Sequence, residues 1–91
     1  MLVEDLIKNG AFLVDVRTPS EFNAGHVNNS VNIPLDTVEY NLEKFKNKDQ
    51  IIVFCRSGNR SAQAKMILEH NGFENVTNAG TWEYVNNVLE Q

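Results

Sequence analysis

Two apolar runs dominate the chain: Ala11–Val16, broken only by Asp15, and Ile51–Phe54, the latter rich in β-branched residues. Neither alternates with polar positions, so each predicts a strand buried on both faces, as in the middle of a parallel sheet. Between and around them the period changes to three and four. Val3, Leu6 and Ile7 predict a first helix closed by Gly10. Thr18-Pro19-Ser20-Glu21 has the form of a capping box with proline at the first helical position, opening a short helix that Gly25 stops after Ala24. Gly25–Ser30 is a loop and Val31–Ile33 a short strand ended by Pro34. Leu35, Val38, Leu42 and Phe45 lie on one face of an amphipathic helix. Polar Lys46–Gln50 leads back to the central strand, and Ala62–His70 resumes helical spacing until Gly72. Phe73–Asn78 holds a last strand around Val76, and Ala79-Gly80 turns into a final helix with Trp82, Val85 and Leu89. Strands alternating with helices indicate a three-layer α/β domain with a mainly parallel sheet of four to five strands, spanning residues 1–91.

Composition adds limits. Ninety-one residues with 42% apolar and 22% charged positions are enough for one domain with one core, and do not resemble a disordered chain. A net charge of −4 argues against nucleic acid and anionic membranes as partners. A single cysteine excludes an internal disulfide and a cysteine-built zinc site. Met1–Asp5 has neither a basic nor an apolar signal region, which predicts a cytoplasmic protein, or a periplasmic one if a leader has been removed.

The chemistry concentrates where the central strand ends. Cys55 is followed by Arg56-Ser57-Gly58-Asn59-Arg60-Ser61 and then by a helix. In open α/β sheets the crevice at the carboxyl ends of the strands is where ligands bind. Backbone N–H groups in a tight turn, with a helix amino terminus behind them, form an anion site. Arg56 and Arg60 add two positive charges with no acid among them; the rest of the chain then carries −6, so the loop is a positive island. A thiol there is expected to ionise readily and act as a nucleophile. A lone cysteine is more often inert and buried, but the flanking arginines and glycine favour a reactive one.

Four residues separate Cys55 from Arg60. Cysteine-dependent phosphatases have one more, in a loop that cradles a whole phosphate. The shorter loop resembles that of the rhodanese (thiosulfate sulfurtransferase) family. Leu13-Val14-Asp15-Val16-Arg17, Gly25-His26-Val27 through Asn32-Ile33-Pro34, and Asn78-Ala79-Gly80 with Trp82 resemble the family's other signatures, so the likeness covers nearly the whole chain. It looks most like small single-domain bacterial sulfurtransferases. Asn29-Ser30 departs from a common Gly-Ala, and Thr81 from a common Gly.

The resemblance implies a sheet in the order 3-2-4-5-1, its first edge strand cut short at Met1–Leu2. It implies catalysis by Cys55 as a persulfide, taking sulfur from thiosulfate or a similar donor and giving it to a thiol or cyanide, with neither metal nor cofactor. Arg56, Ser57, Gly58, Asn59, Arg60 and Ser61 are then the donor-binding residues. Arg60 is the stronger candidate of the two arginines, with Arg56 turned to solvent, and the other four act mainly through backbone N–H groups. Asp15 and Arg17, on the same edge, support the site as an internal ion pair. His26, His70 and Trp82 are read as structural. The competing readings are a persulfide carrier serving one partner protein, a phosphatase or arsenate reductase, and a binding module without catalysis.

Overall fold

The computed structural model describes residues 2–91. Its elements are α1 (Val3–Lys8), β1 (Phe12–Asp15), α2 (Pro19–Ala24), β2 (Val31–Asn32), a 3₁₀ segment (Leu35–Phe45), β3 (Ile51–Cys55), α3 (Asn59–His70), β4 (Val76–Thr81) and α4 (Trp82–Leu89). The four strands form one parallel sheet in the order β2-β1-β3-β4. This is the 3-2-4-5 part of the order the resemblance implies. Of the expected cut-short edge strand, Met1 lies outside the described residues and Leu2 leads directly into α1.

Strand β3 organises the two cores because its side chains alternate between the faces of the sheet. Ile51, Val53 and Cys55 join Val14, Val16, Val38, Phe45, Ala64 and Leu68 beneath α3 and the 3₁₀ segment. Ile52 and Phe54 join Ile7, Leu13, Val85 and Val88 beneath α1 and α4. All five residues of β3 are fully buried, and each large apolar side chain removed from water in this way contributes roughly 1.5–3 kcal/mol. Among the described residues no helix is long and apolar enough to cross a membrane.

Most expected elements form within a residue of their predicted ends, and the capping box of Thr18 and Glu21 is complete. Three differ for identifiable reasons. The segment after Pro34 is 3₁₀ and not α-helical, with a break at Asn41 (φ −127°). Its apolar positions step by three within each half, Leu35 to Val38 and Leu42 to Phe45, which is the 3₁₀ repeat. Thr37 and Asn41 also bond their side chains to the carbonyls of Pro34 and Thr37, an alternative to regular helix. Helix α3 begins at Asn59 and not Ala62, because Gly58 (φ +97°) turns the chain abruptly into it. Finally, Ala79-Gly80 is not a turn: β4 continues through it to Thr81, with an irregularity in pairing that sets Val53 opposite Asn78 but Phe54 opposite Gly80.

The two departures from the family pattern fit their sites. Asn29 sits in the left-handed region (φ +69°), which asparagine tolerates better than most residues. Thr81 caps α4, its hydroxyl accepting the Tyr84 N–H at 3.1 Å.

Asp15 and Arg17, at the end of β1, are both buried and paired. The Arg17 guanidinium donates to both Asp15 carboxylate oxygens at 2.7–3.0 Å and to the Gly25 carbonyl at 2.7 Å, and it lies 4.7 Å from the Trp82 ring centroid. The pair thereby ties the end of β1 to the Gly25 turn and to α4. Arg17→Met leaves the Asp15 charge buried without its partner, a loss of about 3–5 kcal/mol. In urea titrations the midpoint is expected to fall substantially at an unchanged slope.

Candidate active site

Cys55 closes β3 and points to the α3 side of the sheet, fully buried. Only Arg56, Ser57 and Gly58 separate it from the first residue of α3, so the chain reverses tightly over the sulfur. The Gly58 N–H donates to Sγ at 3.0 Å and the Ser61 Oγ lies 3.4 Å away. The positive φ of Gly58 makes this turn affordable without strain, since an added Cβ would meet an unfavourable torsion and lie 3.5 Å from the Gly80 Cα. Helix α3 has no acid in its first turn and anchors Ala64 and Leu68 in the core, so its positive dipole end is held at the sulfur. Burial pushes the Cys55 thiol up, but the Ser61 hydroxyl and the N–H groups of Ser61, Ser57 and Gly58 pull it further down, leaving it net below its ordinary value of 9.0.

A second layer holds the loop. The Ser61 hydroxyl donates to Asn78 Oδ1 at 2.7 Å, the Gly80 N–H donates to the same oxygen at 2.9 Å, and Asn78 Nδ2 donates to the Gly58 carbonyl at 3.2 Å. The irregular pairing of β4 accompanies this arrangement: with Gly80 at φ +85°, its N–H folds back onto the Asn78 side chain.

The two loop arginines part company. Arg60 makes a bidentate pair with Glu21 at 2.6 and 3.0 Å, linking the start of α3 to the capping box of α2. Its guanidinium is therefore directed to a carboxylate of this chain, the bracing alternative to donor binding. Arg56 is exposed and makes no ion pair among the described residues. Ser57 and Asn59 are exposed, and Ser61 is buried in the first turn of α3. Asp15 and Arg17 lie at the same end of the sheet, but their side-chain hydrogen bonds go to each other, to the Arg17 N–H and to the Gly25 turn. His26 stacks on Phe22, with ring centroids 3.8 Å apart, and shares no hydrogen bond with the Cys55 loop.

Two residues of this arrangement were not singled out for the site by sequence reasoning. Glu21 was legible only as a cap, because its partner is 39 positions away. Asn78 is legible only as part of the Asn-Ala-Gly signature; an amide two positions beyond Val76, at the end of an expected strand, is the one local signal that could have found it.

A groove of about 530 Å³ runs past Arg60, lined by Val16, Leu35, Tyr40, Gln63 and Ile67 among others, with Tyr40 87% exposed at its side. A larger hollow, about 770 Å³, opens beside Gly10 and Gln50, at the amino-terminal ends of β1 and β3.

The hydrogen bonds from Arg60, followed by those of the capping box, hold the Glu21 carboxyl at about 2, well below its ordinary 4.5. A carboxyl depressed by folding stabilises the fold above its unfolded value, and that contribution is lost as pH falls through the folded one. Thermal melts are therefore expected to show the native protein losing stability between pH 4.5 and about 2 more steeply than Glu21→Gln, with the difference reduced by salt because the pair is partly exposed.

Comparison with known proteins bears on the family and the fold. The family described as rhodanese-like domain matches residues 2–82. A putative mitochondrial thiosulfate sulfurtransferase of Schizosaccharomyces pombe is 36% identical over 77% of this chain, and thiosulfate sulfurtransferase of Escherichia coli is 38% identical over 74%. The chain spans 59% and 66% of their respective lengths. Other relatives, 33–36% identical, are named tRNA uridine(34) hydroxylase, and the chain covers about a quarter of each. Among solved structures, the human single-domain sulfurtransferase superposes with a TM-score of 0.78 at 27% identity, over 98% of this chain and 91% of that one. With the match running from α1 into α4, the chain belongs to the rhodanese-like domain family.

Proposed function

We propose that this protein is a sulfurtransferase that moves a sulfane sulfur from thiosulfate, or a donor like it, to a thiol or cyanide through a persulfide on Cys55. The observation that carries the reading is the Gly58 N–H on Cys55 Sγ at the acid-free start of α3. That environment favours the thiolate and, equally, an extra sulfur atom bearing the same charge.

In the first half-reaction the Cys55 thiolate attacks the outer sulfur of thiosulfate. A sulfur–sulfur bond forms, the bond to the sulfonate sulfur breaks, and sulfite leaves with its electron pair. The persulfide keeps one negative charge on its outer sulfur. In the second, cyanide or an acceptor thiolate attacks that outer sulfur and the Cys55 thiolate departs. Charge and atoms balance in each step without a general base. Full burial of Cys55 suits a donor that presents one terminal sulfur atom to the loop. Exposed Arg56 is the charge available to an arriving dianion, and Arg60 acts as a positioning residue through Glu21. A carrier that hands its sulfur to a partner protein uses the same Cys55; the groove past Arg60, with Tyr40 beside it, favours that second reading as a place for an acceptor to settle.

Thiocyanate formation from thiosulfate and cyanide tests the proposal. Cys55→Ser is expected to be inactive while folding normally; turnover at the wild-type rate would contradict the mechanism. Arg56→Ala is expected to raise the thiosulfate KM about tenfold with kcat little changed, the effect of one steering charge. Arg60→Ala is expected to lower kcat as well, because the start of α3 loses its anchor.

A further inference from the structure

Ser61 has one hydroxyl hydrogen and two neighbours that can take it. Asn78 Oδ1 lies 2.7 Å from its oxygen and Cys55 Sγ lies 3.4 Å away, in a contact where either atom can donate. The orientation of the Asn78 amide is set independently: its oxygen accepts the Gly80 N–H and its nitrogen donates to the Gly58 carbonyl. Its acceptor is therefore held toward Ser61 whatever the state of the sulfur. Ser61 is fully buried, so no water competes for the hydroxyl.

We infer that Ser61 and Asn78 form a two-position hydrogen-bond switch that follows the charge on Cys55 Sγ, Asn78 favouring the sulfur-loaded form and Ser61 the free thiolate. The inference rests on the persulfide reading given above. When Sγ is a thiolate, the strongest bond available to the Ser61 hydrogen is the charged sulfur. When Sγ is uncharged, as a thiol or as the inner atom of a persulfide, the hydrogen turns to Asn78 Oδ1. A thiol can then donate its own hydrogen to Ser61 Oγ. A persulfide has no hydrogen on Sγ and needs none, because its negative charge has moved to the outer sulfur. Asn78 thus stabilises the states in which Sγ is neutral by satisfying a hydroxyl that would otherwise be buried without a partner. Ser61 stabilises the opposite state, the free thiolate, and so assists its departure when the acceptor attacks. Asn78 is a positioning residue, and Ser61 touches the reacting sulfur. No proton leaves the pair; one O–H bond rotates.

The two substitutions are therefore expected to act in opposite directions, whereas residues that merely brace the loop would act in the same one. With the protein equilibrated at a fixed ratio of thiosulfate to sulfite, the loaded fraction is read by intact mass. Asn78→Ala is expected to lower the loading constant by roughly three- to tenfold, the worth of one buried hydrogen bond. Ser61→Ala is expected to raise it by a similar factor, and the double variant is expected to follow Ser61→Ala. The thiolate's ultraviolet absorbance gives an independent readout that needs no sulfur donor: the Cys55 titration is expected to move down in Asn78→Ala and up in Ser61→Ala. The charged groups around the loop, Arg56, the Arg60–Glu21 pair and the Asp15–Arg17 pair, are the same in all the variants. Changes of the same sign in the two single variants, or an equal effect of Asn78→Ala with and without Ser61, would overturn the switch. If Asn78→Ala does not fold, Ser61→Ala decides: a fall in loading, or no rise in the titration, would overturn it. If the wild type itself takes up no sulfur, the persulfide reading fails and the titrations alone judge the switch.

Discussion

A thiol sulfur held 3.0 Å from the backbone N–H of Gly58, at the mouth of a helix, is the contact on which the rest of this structure depends. It needs a strand that ends where the helix begins, a backbone torsion other residues avoid, and a helix that cannot drift. The buried strand β3 supplies the first and Gly58 the second. The third comes from α3 packing Ala64 and Leu68 into the core and from the Glu21–Arg60 pair at its start. Asn78 then joins the loop to the neighbouring strand through Ser61 and Gly58.

The electrostatics of the site follow from this geometry more than from net charge. The protein is acidic overall, and one of its two loop arginines is matched by a carboxylate. What remains at the sulfur is a set of fixed N–H dipoles, a helix end and exposed Arg56. Backbone dipoles held in place by the fold require no rearrangement of their own in the proposed cycle, in which a single negative charge passes between the inner and the outer sulfur. The buried Asp15–Arg17 pair serves a different end: it fixes the Gly25 turn and Trp82, leaving the Cys55 loop to its own supports.

The sheet and the position of Cys55 at the end of its central strand were readable from sequence because both are local signals. Continuous apolar runs mark buried strands, and Cys55 directly follows one of them beside glycine and arginine. The capping box at Thr18 was readable for the same reason. The partner of Arg60 was not, since pairing across 39 positions leaves no local trace. The 3₁₀ geometry of Leu35–Phe45 was hidden because spacings of three and four suit an α-helix equally well, and side-chain bonds from Thr37 and Asn41 accompany the alternative. Gly80 read as a turn because a positive torsion inside a strand occurs only at an irregularity, which depends on the register with β3.

The most direct test of the account is the intact mass of the protein after brief incubation with thiosulfate, beside Cys55→Ser. The account predicts a gain of one sulfur atom in the wild type alone, removed again by cyanide. No gain in the wild type, or an equal gain in the variant, would contradict it.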